Sequence, residues 1–443
     1  MPDTPLAALV MAGGLGTRMK SAVPKHFHPI LGRRMVDWVI ETGRATGADL
    51  LVVVASPAGR DEFADSGVTI AVQETPLGTG DAVRVARESI GDHAGDVLVL
   101  SGDTPLLTPE LLERLVETHH REQAAATILS AEPPDARVYG RIVRAPDGSV
   151  LRIAEGTDAT DEERAIREIN SSIYVFRADK LWPALEQLQP KNVQGELYLT
   201  DTIEILVAAG EKVAAHVAED HRETEGVNTR VELAQAGAIL RDRINEQHML
   251  NGVTIVDPVT TWIEPTVELE PDVVVQPFTY LRGNTKVASG AEIGANTVAI
   301  DTHVGRSAVI GPFCYLRPGT VLGESSKAGT FVEIKNSKIG DRTKVPHLSY
   351  IGDADIGEDT NVGAGAITAN FSHYPGRPKG RTTIGRNVRT AIQNGFVAPV
   401  TIGDGAWIGA GSVITEDVPP DALAIARPRQ ENKEGYAARQ RGD

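Results

Sequence analysis

The chain has 443 residues, of which 41% are hydrophobic and 23% charged, and its formal net charge is −16. This hydrophobic content is enough for packed cores, which excludes a disordered chain. The acidic balance argues against a general binder of nucleic acid or of anionic membranes, because such proteins carry a basic face. At roughly 150 residues per domain, the length predicts two or three domains.

Cysteine usage and apolar runs bear on the compartment. Cys314 is the single cysteine, so neither a disulfide within the chain nor a cysteine-based zinc site can form. We therefore expect a reducing, cytoplasmic location. No apolar run approaches the ~20 residues that span a bilayer. The run Leu6–Ala12 ends in glycines and lacks a basic flank, which indicates a buried strand and not a signal peptide.

The first half of the chain alternates short apolar runs with amphipathic stretches. The predicted strands are Leu6–Ala12, Leu50–Ala55, Val97–Leu100 and Ala126–Leu129, and the predicted helices are Met35–Thr46, Gly80–Ser89 and Pro109–Glu122. Such alternation indicates a Rossmann-like, mostly parallel α/β sheet with helices on both faces. Ligands of these sheets bind at the carboxyl ends of the strands.

A further helical pattern covers Arg230 to Met249, with apolar residues at the spacing of one helix face. We interpret it as a helix that connects two domains. The alternative is that it packs entirely on the first domain.

From Gly252 onward, an aliphatic or small residue recurs about every six positions and is often followed by glycine. Examples are Ile293-Gly294, Val304-Gly305, Leu322-Gly323, Ile339-Gly340, Ile356-Gly357 and Ile402-Gly403. This hexapeptide pattern is typical of a left-handed parallel β-helix, in which each rung buries its apolar face only by stacking on its neighbours. The register is interrupted between Thr368 and Ile384, which predicts a loop that projects from the coil.

A glycine-rich segment follows the first predicted strand. Glycines at this place let backbone N–H groups approach phosphate oxygens, and Arg18 and Lys25 supply cations for a polyphosphate. The spacing matches neither the Rossmann dinucleotide fingerprint nor the Walker A motif. Asp103 follows the strand Val97–Leu100, where its carboxylate is placed to hold Mg²⁺, although an aspartate there also commonly forms a turn.

Several motifs occur in a fixed order along the chain: GGLGTRM…PK, LGTG, GDTPLL, YGRIV, AEGTDAT, EIN, GELYLTD and EGVN. Together with the hexapeptide half, they resemble the family of bifunctional N-acetylglucosamine-1-phosphate uridyltransferase/glucosamine-1-phosphate acetyltransferases. The resemblance covers essentially the whole chain. It implies a sugar-1-phosphate nucleotidyltransferase domain at 1–229, a linker helix at 230–251 and a hexapeptide-repeat acetyltransferase domain at 252–443. It also implies a homotrimer with acetyl-transfer sites between neighbouring subunits.

For the first domain, the resemblance implies uridylyl transfer from UTP to N-acetylglucosamine 1-phosphate, with release of pyrophosphate. Arg18 and Lys25 match the catalytic residues, and Asp103 and Asn228 match the Mg²⁺ ligands. Gln73 and Gly78 match the uracil contacts, and Gly140, Glu155 and Asn170 match the sugar contacts. The other residues that match nucleotide or sugar contacts are Ala12, Gly13, Gly14, Gly16 and Thr79. Two departures affect the sugar pocket, since Gly156-Thr157 replaces the usual His-Lys and Ser172 replaces the usual glycine after EIN.

For the second domain, the resemblance implies acetyl transfer from acetyl-CoA to glucosamine 1-phosphate, with His347 as general base. An imidazole suits this role because its ordinary pKa lies close to neutral pH. The residues that match acceptor contacts are Arg317, Lys335, Tyr350, Asn361 and Lys379, and those that match acetyl-CoA contacts are Ala364, Asn370, Ala410 and Arg427.

Two features of this half differ from the family. The loop after Asn370 is longer than usual, so Lys379 is expected in place of the family lysine, with Arg377 as its rival. The stretch Ile392-Gln393-Asn394 replaces the usual Ser-Asp-Thr, and Ile392 cannot donate the hydrogen bond that the serine gives to acetyl-CoA.

The favoured hypothesis is an enzyme that makes UDP-N-acetylglucosamine, a precursor of peptidoglycan and the cell wall, at two sites. A second hypothesis is a sugar-1-phosphate nucleotidyltransferase whose β-helix serves only assembly or regulation. A third is a non-enzymatic assembly subunit with a degenerate nucleotidyltransferase fold. The presence of Arg18, Lys25, Asp103 and Asn228 argues against the third, because a decayed site would not need them.

Overall fold

The computed structural model describes residues 4–14, 16–136, 139–371, 376 and 378–442. The chain divides into two compact units, Met1–Leu240 and Arg241–Asp443. Among the described residues, no helix has both the length and the apolar character needed to cross a membrane.

The first unit is an α/β domain. Its strands are β1 (Leu6–Ala12), β2 (Pro29–Ile30), β3 (Arg33–Arg34), β4 (Leu50–Ala55), β5 (Thr69–Val72), β6 (Asp96–Ser101), β7 (Ala126–Ala131), β8 (Arg141–Arg144), β9 (Val150–Ala154), β10 (Ile169–Arg177) and β11 (Val213–Val217). Its helices are α1 (Met35–Ala45), α2 (Thr79–Val85), α3 (Arg87–Ile90), α4 (Pro109–Glu122), α5 (Asp161–Arg164), α6 (Ala178–Leu185) and α7 (Asp201–Ala208). Short 3₁₀ helices cover Thr17–Met19, Lys25–Phe27, Pro57–Phe63 and His221–Thr224.

The central sheet has the strand order β11-β7-β10-β6-β1-β4-β5, and β8 and β9 extend it beside β10. β10 runs antiparallel to both of its neighbours in this order, whereas the other adjacent pairs are parallel. The predicted mostly parallel α/β sheet is therefore confirmed. Its strands are buried because helices cover both faces, which explains their continuous apolar runs.

One predicted helix is wrong as a single element. The stretch Gly80–Ser89 forms two helices, α2 and α3, separated at Ala86. The Ala86 N–H donates to the carbonyl of Val83, three residues back, at 3.2 Å. This tighter turn interrupts the α-helical hydrogen bonds.

A long helix, α8 (Arg230–Leu250), spans the boundary between the two units. Its second half is bound to the start of the coil. The amide of Asn245 is buried and donates to the carbonyls of Pro258 and Thr261, both at 2.9 Å, and Arg241 donates to the carbonyl of Val259 at 2.8 Å.

The second unit is a coil of short strands stacked on three faces. The first face contains Thr254–Ile255, Val274–Val275, Glu292–Ile293, Val309–Ile310, Lys327–Thr330, Lys344–His347, Arg389–Thr390, Trp407–Ile408 and Leu423–Ala424. The second face contains Trp262–Ile263, Tyr280–Arg282, Val298–Ile300, Tyr315–Leu316, Glu333–Lys335, Tyr350–Gly352, Ile367–Ala369, Gly395–Val397 and Val413–Ile414. The third face contains Glu268–Leu269, Lys286–Val287, His303–Val304, Val321–Leu322, Lys338–Ile339, Ala354–Ile356, Thr382–Ile384 and Val400–Ile402. A short helix, α9 (Tyr436–Arg441), follows the coil.

Each strand of the coil pairs in parallel with the strand one turn later. Leu316 lies beside Ile334, which lies beside Ile351, and all three are fully buried. The aliphatic residues of the hexapeptide repeat therefore form columns inside the coil, and the predicted β-helix is confirmed.

The glycine that follows many of these aliphatic residues is required by close packing between turns. At Gly340, an added Cβ would lie 2.6 Å from the Glu358 nitrogen and 2.7 Å from the Gly357 carbonyl carbon. These are backbone atoms of the next turn, so they cannot move aside without disturbing the whole stack.

We expect Gly340→Ala to lower the free energy of unfolding by about 1–3 kcal/mol, because it overpacks the coil against fixed backbone. Gly395→Ala is the matched control, since its added Cβ would meet only Val413 side-chain atoms at an ordinary 3.7 Å. Chemical denaturation followed by circular dichroism measures both variants. Equal losses in the two would contradict this account of the repeat glycine.

Candidate functional site

A cavity of about 500 Å³ opens at the carboxyl ends of β1 and β6. It lies where an α/β sheet binds its ligands. Its lining includes ten of the predicted residues of the first domain: Gly13, Gly14, Gly16, Arg18, Lys25, Gln73, Gly78, Thr79, Asp103 and Asn228. The described lining is completed by Met11, His26, Pro76, Ala82, Ser101 and Glu196.

The glycine-rich segment approaches Lys25 closely. Gly16 has a φ of +60°, and an added Cβ would lie 2.3 Å from the Lys25 Cβ. Both the backbone conformation and the space therefore require glycine here. This contact holds Lys25 against the segment that is placed to bind phosphate.

Two cations and two oxygen donors converge in the cavity. The Oδ1 atom of Asn228 accepts hydrogen bonds from Arg18 Nη2 at 2.8 Å and from Lys25 Nζ at 2.9 Å. Lys25 Nζ also forms an ion pair with Asp103, whose other oxygen accepts from Ser101 Oγ at 2.5 Å. Burial is the strongest single influence and opposes ionisation of the Asp103 carboxyl, but the charges of Lys25 and His26 and the hydrogen bonds from Lys25 and Ser101 together outweigh it, and the pKa of Asp103 is lowered.

The donor set of this cluster fits Mg²⁺. Asp103 and Asn228 present oxygen atoms, and the backbone N–H of Val227 donates to the carbonyl of Asp103 at 2.8 Å, which holds the two segments together. Within the described part of the chain, no three His, Cys, Asp or Glu side chains group as a metal site. The remaining coordination positions would thus fall to water and substrate phosphates, as is usual for Mg²⁺.

The predicted uracil-contacting residues form their own hydrogen-bonded group. The Gln73 side chain is buried and donates from Nε2 to the Gly78 carbonyl at 3.2 Å and to Asp81 at 2.8 Å. The hydroxyl of Thr79 accepts from the backbone N–H of Leu199 at 3.0 Å. The loop before α2 is therefore held to the segment before α7.

The predicted sugar-contacting residues cluster outside the described lining of this cavity. The backbone N–H of Asn170 donates to the Gly140 carbonyl at 2.9 Å, and an added Cβ at Gly140 would lie 3.5 Å from Glu155 Oε2. Glu155 accepts from Thr200 Oγ1 at 2.8 Å and lines a second cavity of about 510 Å³. Burial raises the pKa of Glu155. Ala12, the other predicted residue outside the lining, is buried at the end of β1.

One departure from the family pattern has a local explanation. Ser172 has a φ of +63°, a conformation that glycine adopts most easily, and its N–H donates to Asn170 Oδ1 at 3.1 Å. Serine therefore adopts here a backbone conformation that also suits the family glycine.

No motif in the sequence indicated a role for His26. This residue is buried beside the cavity, and burial lowers its pKa to about 4, so the imidazole is neutral at neutral pH. An added Cβ at Gly102 would lie 3.2 Å from its ring. Its position next to Lys25 in the sequence was the available signal, but its burial depends on the tertiary fold.

In the coil, the predicted residues fall at two corners. The first corner joins the first and second faces and carries His347, Ala364, Ile392 and Ala410 on four successive turns. Backbone hydrogen bonds connect the turns: Gly365 N–H to the His347 carbonyl at 3.2 Å, Gln393 N–H to the Ala364 carbonyl at 2.7 Å, and Gly411 N–H to the Ile392 carbonyl at 2.9 Å. An added Cβ at Gly411 would lie 3.7 Å from Arg427 Cδ, so Arg427 lies beside the first corner.

The second corner joins the second and third faces and carries the predicted acceptor residues. Arg317 and Lys335 follow the core residues Leu316 and Ile334 on successive turns. Lys379 lies close enough to Lys335 that its charge and hydrogen bonding lower the pKa of Lys335. The amide of Asn370 lies 3.5 Å from the Tyr350 hydroxyl, so Asn370 groups with this corner.

The other two predicted residues of the coil are Asn361 and Arg377. Asn361 lies on the first face, where it bridges Lys344 and Arg389 of the neighbouring turns. Arg377, the rival of Lys379, lies outside the described residues.

Removing Lys25 leaves the largely buried Asp103 carboxylate without its ion-pair partner. In Lys25→Met, burial acts without the adjacent cation, so the pKa of Asp103 in the folded protein rises above its unfolded value. The loss of stability is then smallest below about pH 4 and grows as the pH rises through the folded pKa. We expect the free energy of unfolding to fall by about 3 kcal/mol at neutral pH and above. Urea denaturation across this pH range measures it.

Two further variants test the cause of that loss. Lys25→Met/Asp103→Asn should recover most of it, because the buried charge is gone. Lys180→Met removes a more exposed partner of Glu211 and should cost less than about 1 kcal/mol. A Lys25→Met loss that does not vary with pH would contradict the ion-pair account.

The comparisons with known proteins agree with this geometry. Residues 8–198 match the family model of the MobA-like NTP transferase domain. Over 99% of the chain and 95% of the relative, the sequence is 50% identical to the bifunctional protein GlmU of Streptomyces coelicolor. It is 46% identical to that of Brevibacillus brevis, over 97% of the chain and 96% of the relative. It is 45% identical to that of Mycobacterium marinum, over 98% and 93% respectively. The chain therefore belongs to the family of bifunctional GlmU proteins.

Proposed function

We propose that the chain makes UDP-N-acetylglucosamine in two steps at two separate sites. The coil transfers an acetyl group from acetyl-CoA to glucosamine 1-phosphate, and the α/β unit transfers a uridylyl group from UTP to N-acetylglucosamine 1-phosphate. The observation that carries this proposal is the convergence of Arg18, Lys25, Asp103 and Asn228 in one glycine-lined cavity. Family membership over nearly the whole chain adds the second site.

Uridylyl transfer needs little covalent chemistry from the protein. A phosphate oxygen of the sugar 1-phosphate attacks the α-phosphorus of UTP, the bond to the β-phosphate breaks, and pyrophosphate leaves. Positioning and neutralisation of negative charge therefore carry most of the catalysis. Arg18 and Lys25 bind phosphate oxygens, which have more negative charge than the Asn228 oxygen that they share here. Asp103 and Asn228 would hold Mg²⁺, which neutralises further phosphate charge when bound.

Acetyl transfer requires removal of a proton from the acceptor amine. The glucosamine nitrogen attacks the thioester carbonyl of acetyl-CoA, the C–S bond breaks, and the thiol of coenzyme A leaves. His347 is exposed at the end of its strand and accepts the proton. Arg317, Lys335 and Lys379 provide positive charge for the acceptor phosphate. The exposed Ile392 lacks a hydrogen-bond donor for acetyl-CoA, a loss worth about 0.5–1.5 kcal/mol, which weakens binding several-fold without removing the reaction.

Trimeric assembly is supported by the separation of the two corners. His347 and the acceptor cations Arg317, Lys335 and Lys379 lie at opposite edges of the second face, roughly 15 Å apart at about 3.3 Å per residue. A base must reach the amine within hydrogen-bond distance. A neighbouring copy would bring its own corner to the first and complete the site. We infer a cytoplasmic location from the single, buried cysteine.

A column of exposed apolar side chains at the first corner supports the same assembly. Phe278, Phe313, Phe331 and Leu348 occupy equivalent corner positions, each between 49% and 62% exposed. The rings of Phe313 and Phe331 stack at 5.2 Å. Exposed apolar surface of this extent on a rigid coil is typical of an interface.

The two reactions should be separable by substitution. We expect His347→Ala to abolish thiol release from acetyl-CoA with glucosamine 1-phosphate while pyrophosphate release from UTP continues. We expect Asp103→Asn to reduce Mg²⁺-dependent pyrophosphate release at least a hundredfold, about 2.7 kcal/mol, and to leave thiol release unchanged.

Two surface variants serve as controls for these assays. His303→Ala removes an exposed histidine of the third face, and Asp179→Asn neutralises an exposed aspartate at the start of α6. Both should retain the two activities. Loss of both activities in His347→Ala, or an unchanged rate in Asp103→Asn, would overturn the assignment of the sites.

Assembly can be tested at the apolar column. We expect a particle of three times 47.2 kDa in analytical ultracentrifugation. Phe331→Asp should dissociate it, because a carboxylate would be buried without a partner in the interface. Val321→Asp, on the charged third face, should leave the mass unchanged. A wild-type chain that sediments as a monomer would overturn the assembly proposal.

A further inference from the structure

The loop that interrupts the hexapeptide register has a closed base at the second corner. It leaves the coil at Asn370 and returns at Gly380, whose N–H donates to the Asn370 carbonyl at 2.9 Å. Two residues later, the N–H of Thr382 donates to the backbone carbonyl of Asp353 at 3.1 Å. The corner between Tyr350–Gly352 and Ala354–Ile356, where Asp353 lies, therefore also holds the returning end of the loop.

The Asp353 side chain holds the departing end. Its two oxygens accept hydrogen bonds from the amides of Asn336, at 2.5 Å, and of Asn370. Asp353 and Asn370 are only 8% and 7% exposed, so solvent does little to replace these bonds. Burial opposes ionisation of the Asp353 carboxyl, but the two amides and the nearby lysines outweigh it, and its pKa is lowered.

The same carboxylate faces two lysines that repel each other. Lys335 and Lys379 approach closely enough for Lys379 to lower the pKa of Lys335, whereas the charge of Asp353 acts in the opposite direction. Lys379 directly precedes Gly380, so its backbone is fixed by the closed base of the loop. Asp353 thus contacts the fixed end of the loop and also offsets the charge of the pair.

We propose that Asp353 is a positioning residue for acetyl transfer, which holds Asn370 and the loop base so that Lys379 stands beside Lys335. The proposal rests on the acetyl-transfer function assigned to the coil. It also selects Lys379 as the lysine that binds the acceptor phosphate. Asp353 itself need not touch the substrate.

A positioning role and a simple charge effect of Asp353 predict opposite changes in the KM for glucosamine 1-phosphate. If Asp353 acted only as a nearby negative charge, its neutralisation would strengthen binding of an anionic acceptor. If it positions the loop, Asp353→Asn weakens binding, because an asparagine has one carbonyl oxygen for the two amides and presents an NH₂ group to the other. The sign of the change in KM therefore separates the two.

The experiment compares Asp353→Asn with Asp301→Asn in the full-length chain. Asp301 lies at the same corner on an earlier turn and has the same left-handed backbone, with φ +48° against +50°. Its Oδ1 accepts from the backbone N–H of Asn284 at 2.9 Å, a bond that asparagine retains. We expect Asp353→Asn to raise the KM for glucosamine 1-phosphate at least tenfold with kcat changed less than threefold, and Asp301→Asn to stay within twofold.

A double-mutant cycle with Lys379→Ala tests the route of the effect. Lys379→Ala alone should raise KM, and Asp353→Asn/Lys379→Ala should be no worse than the more affected single variant, because both remove the same contact. Multiplicative effects, or a KM for Asp353→Asn that is unchanged or lower, would overturn the proposal. Should Asp353→Asn fail to fold, Asn336→Ala is the alternative, because it removes one hydrogen-bond donor to the Asp353 carboxylate at an exposed position. This variant should raise KM a few-fold. An unchanged KM would contradict the positioning role of Asp353.

The proposal and the assigned function fail in different ways. A wild-type chain that releases no thiol would overturn acetyl transfer. Calorimetric titration of the same variants with glucosamine 1-phosphate still decides the role of Asp353, since a tenfold weaker Kd in Asp353→Asn alone supports it and an equal Kd contradicts it. Wild-type protein that does not bind this ligand at all would overturn both.

Discussion

The largely buried carboxylate of Asp103 sets the main constraint on the α/β unit, because a cation at close range stabilises its charge. Lys25 is that cation, and it reaches Asp103 from a segment that is far away in sequence. Asn228 belongs to a third segment and accepts a hydrogen bond from the same Lys25 ammonium group. The three segments must therefore assemble together for any of them to be stable. A magnesium nucleotide would take over these interactions, since its metal suits the oxygens and its phosphates suit the cations.

The coil also has charged groups that need a compensating partner, in this case two lysines. Lys335 and Lys379 are held together although their charges repel, and Asp353 compensates from the buried side of the corner. In both units, acidic and amide groups of the protein thus balance the cations that we propose to bind phosphate. Sites of this kind stay ordered before the ligand arrives, which lowers the conformational cost of binding.

The sequence predicted elements well where one pattern dominates. β1, β4 and α4 have the predicted bounds. The two strands are continuous apolar runs, and α4 begins with a threonine cap followed by a proline at its first position, where proline is favourable. The break at Ala86 had no comparable signal. The residues around the cavity at the carboxyl ends of β1 and β6 were predictable from motif spacing, whereas the burial of His26 and the contacts of Asp353 arise only when distant segments pack. No periodicity in the sequence encodes such contacts.

The division of the acetyl-transfer residues between two corners follows from the geometry of the coil itself. A constant hexapeptide register places every residue at one of a few repeating positions, and the inward position is already taken by the aliphatic core. Functional side chains are left with outward and corner positions, which diverge from a convex prism. A convex surface cannot enclose a substrate by itself. In the proposed trimer, a second copy that faces the same corner supplies the opposite wall, so the proposed assembly and the proposed acetyl transfer have one structural origin.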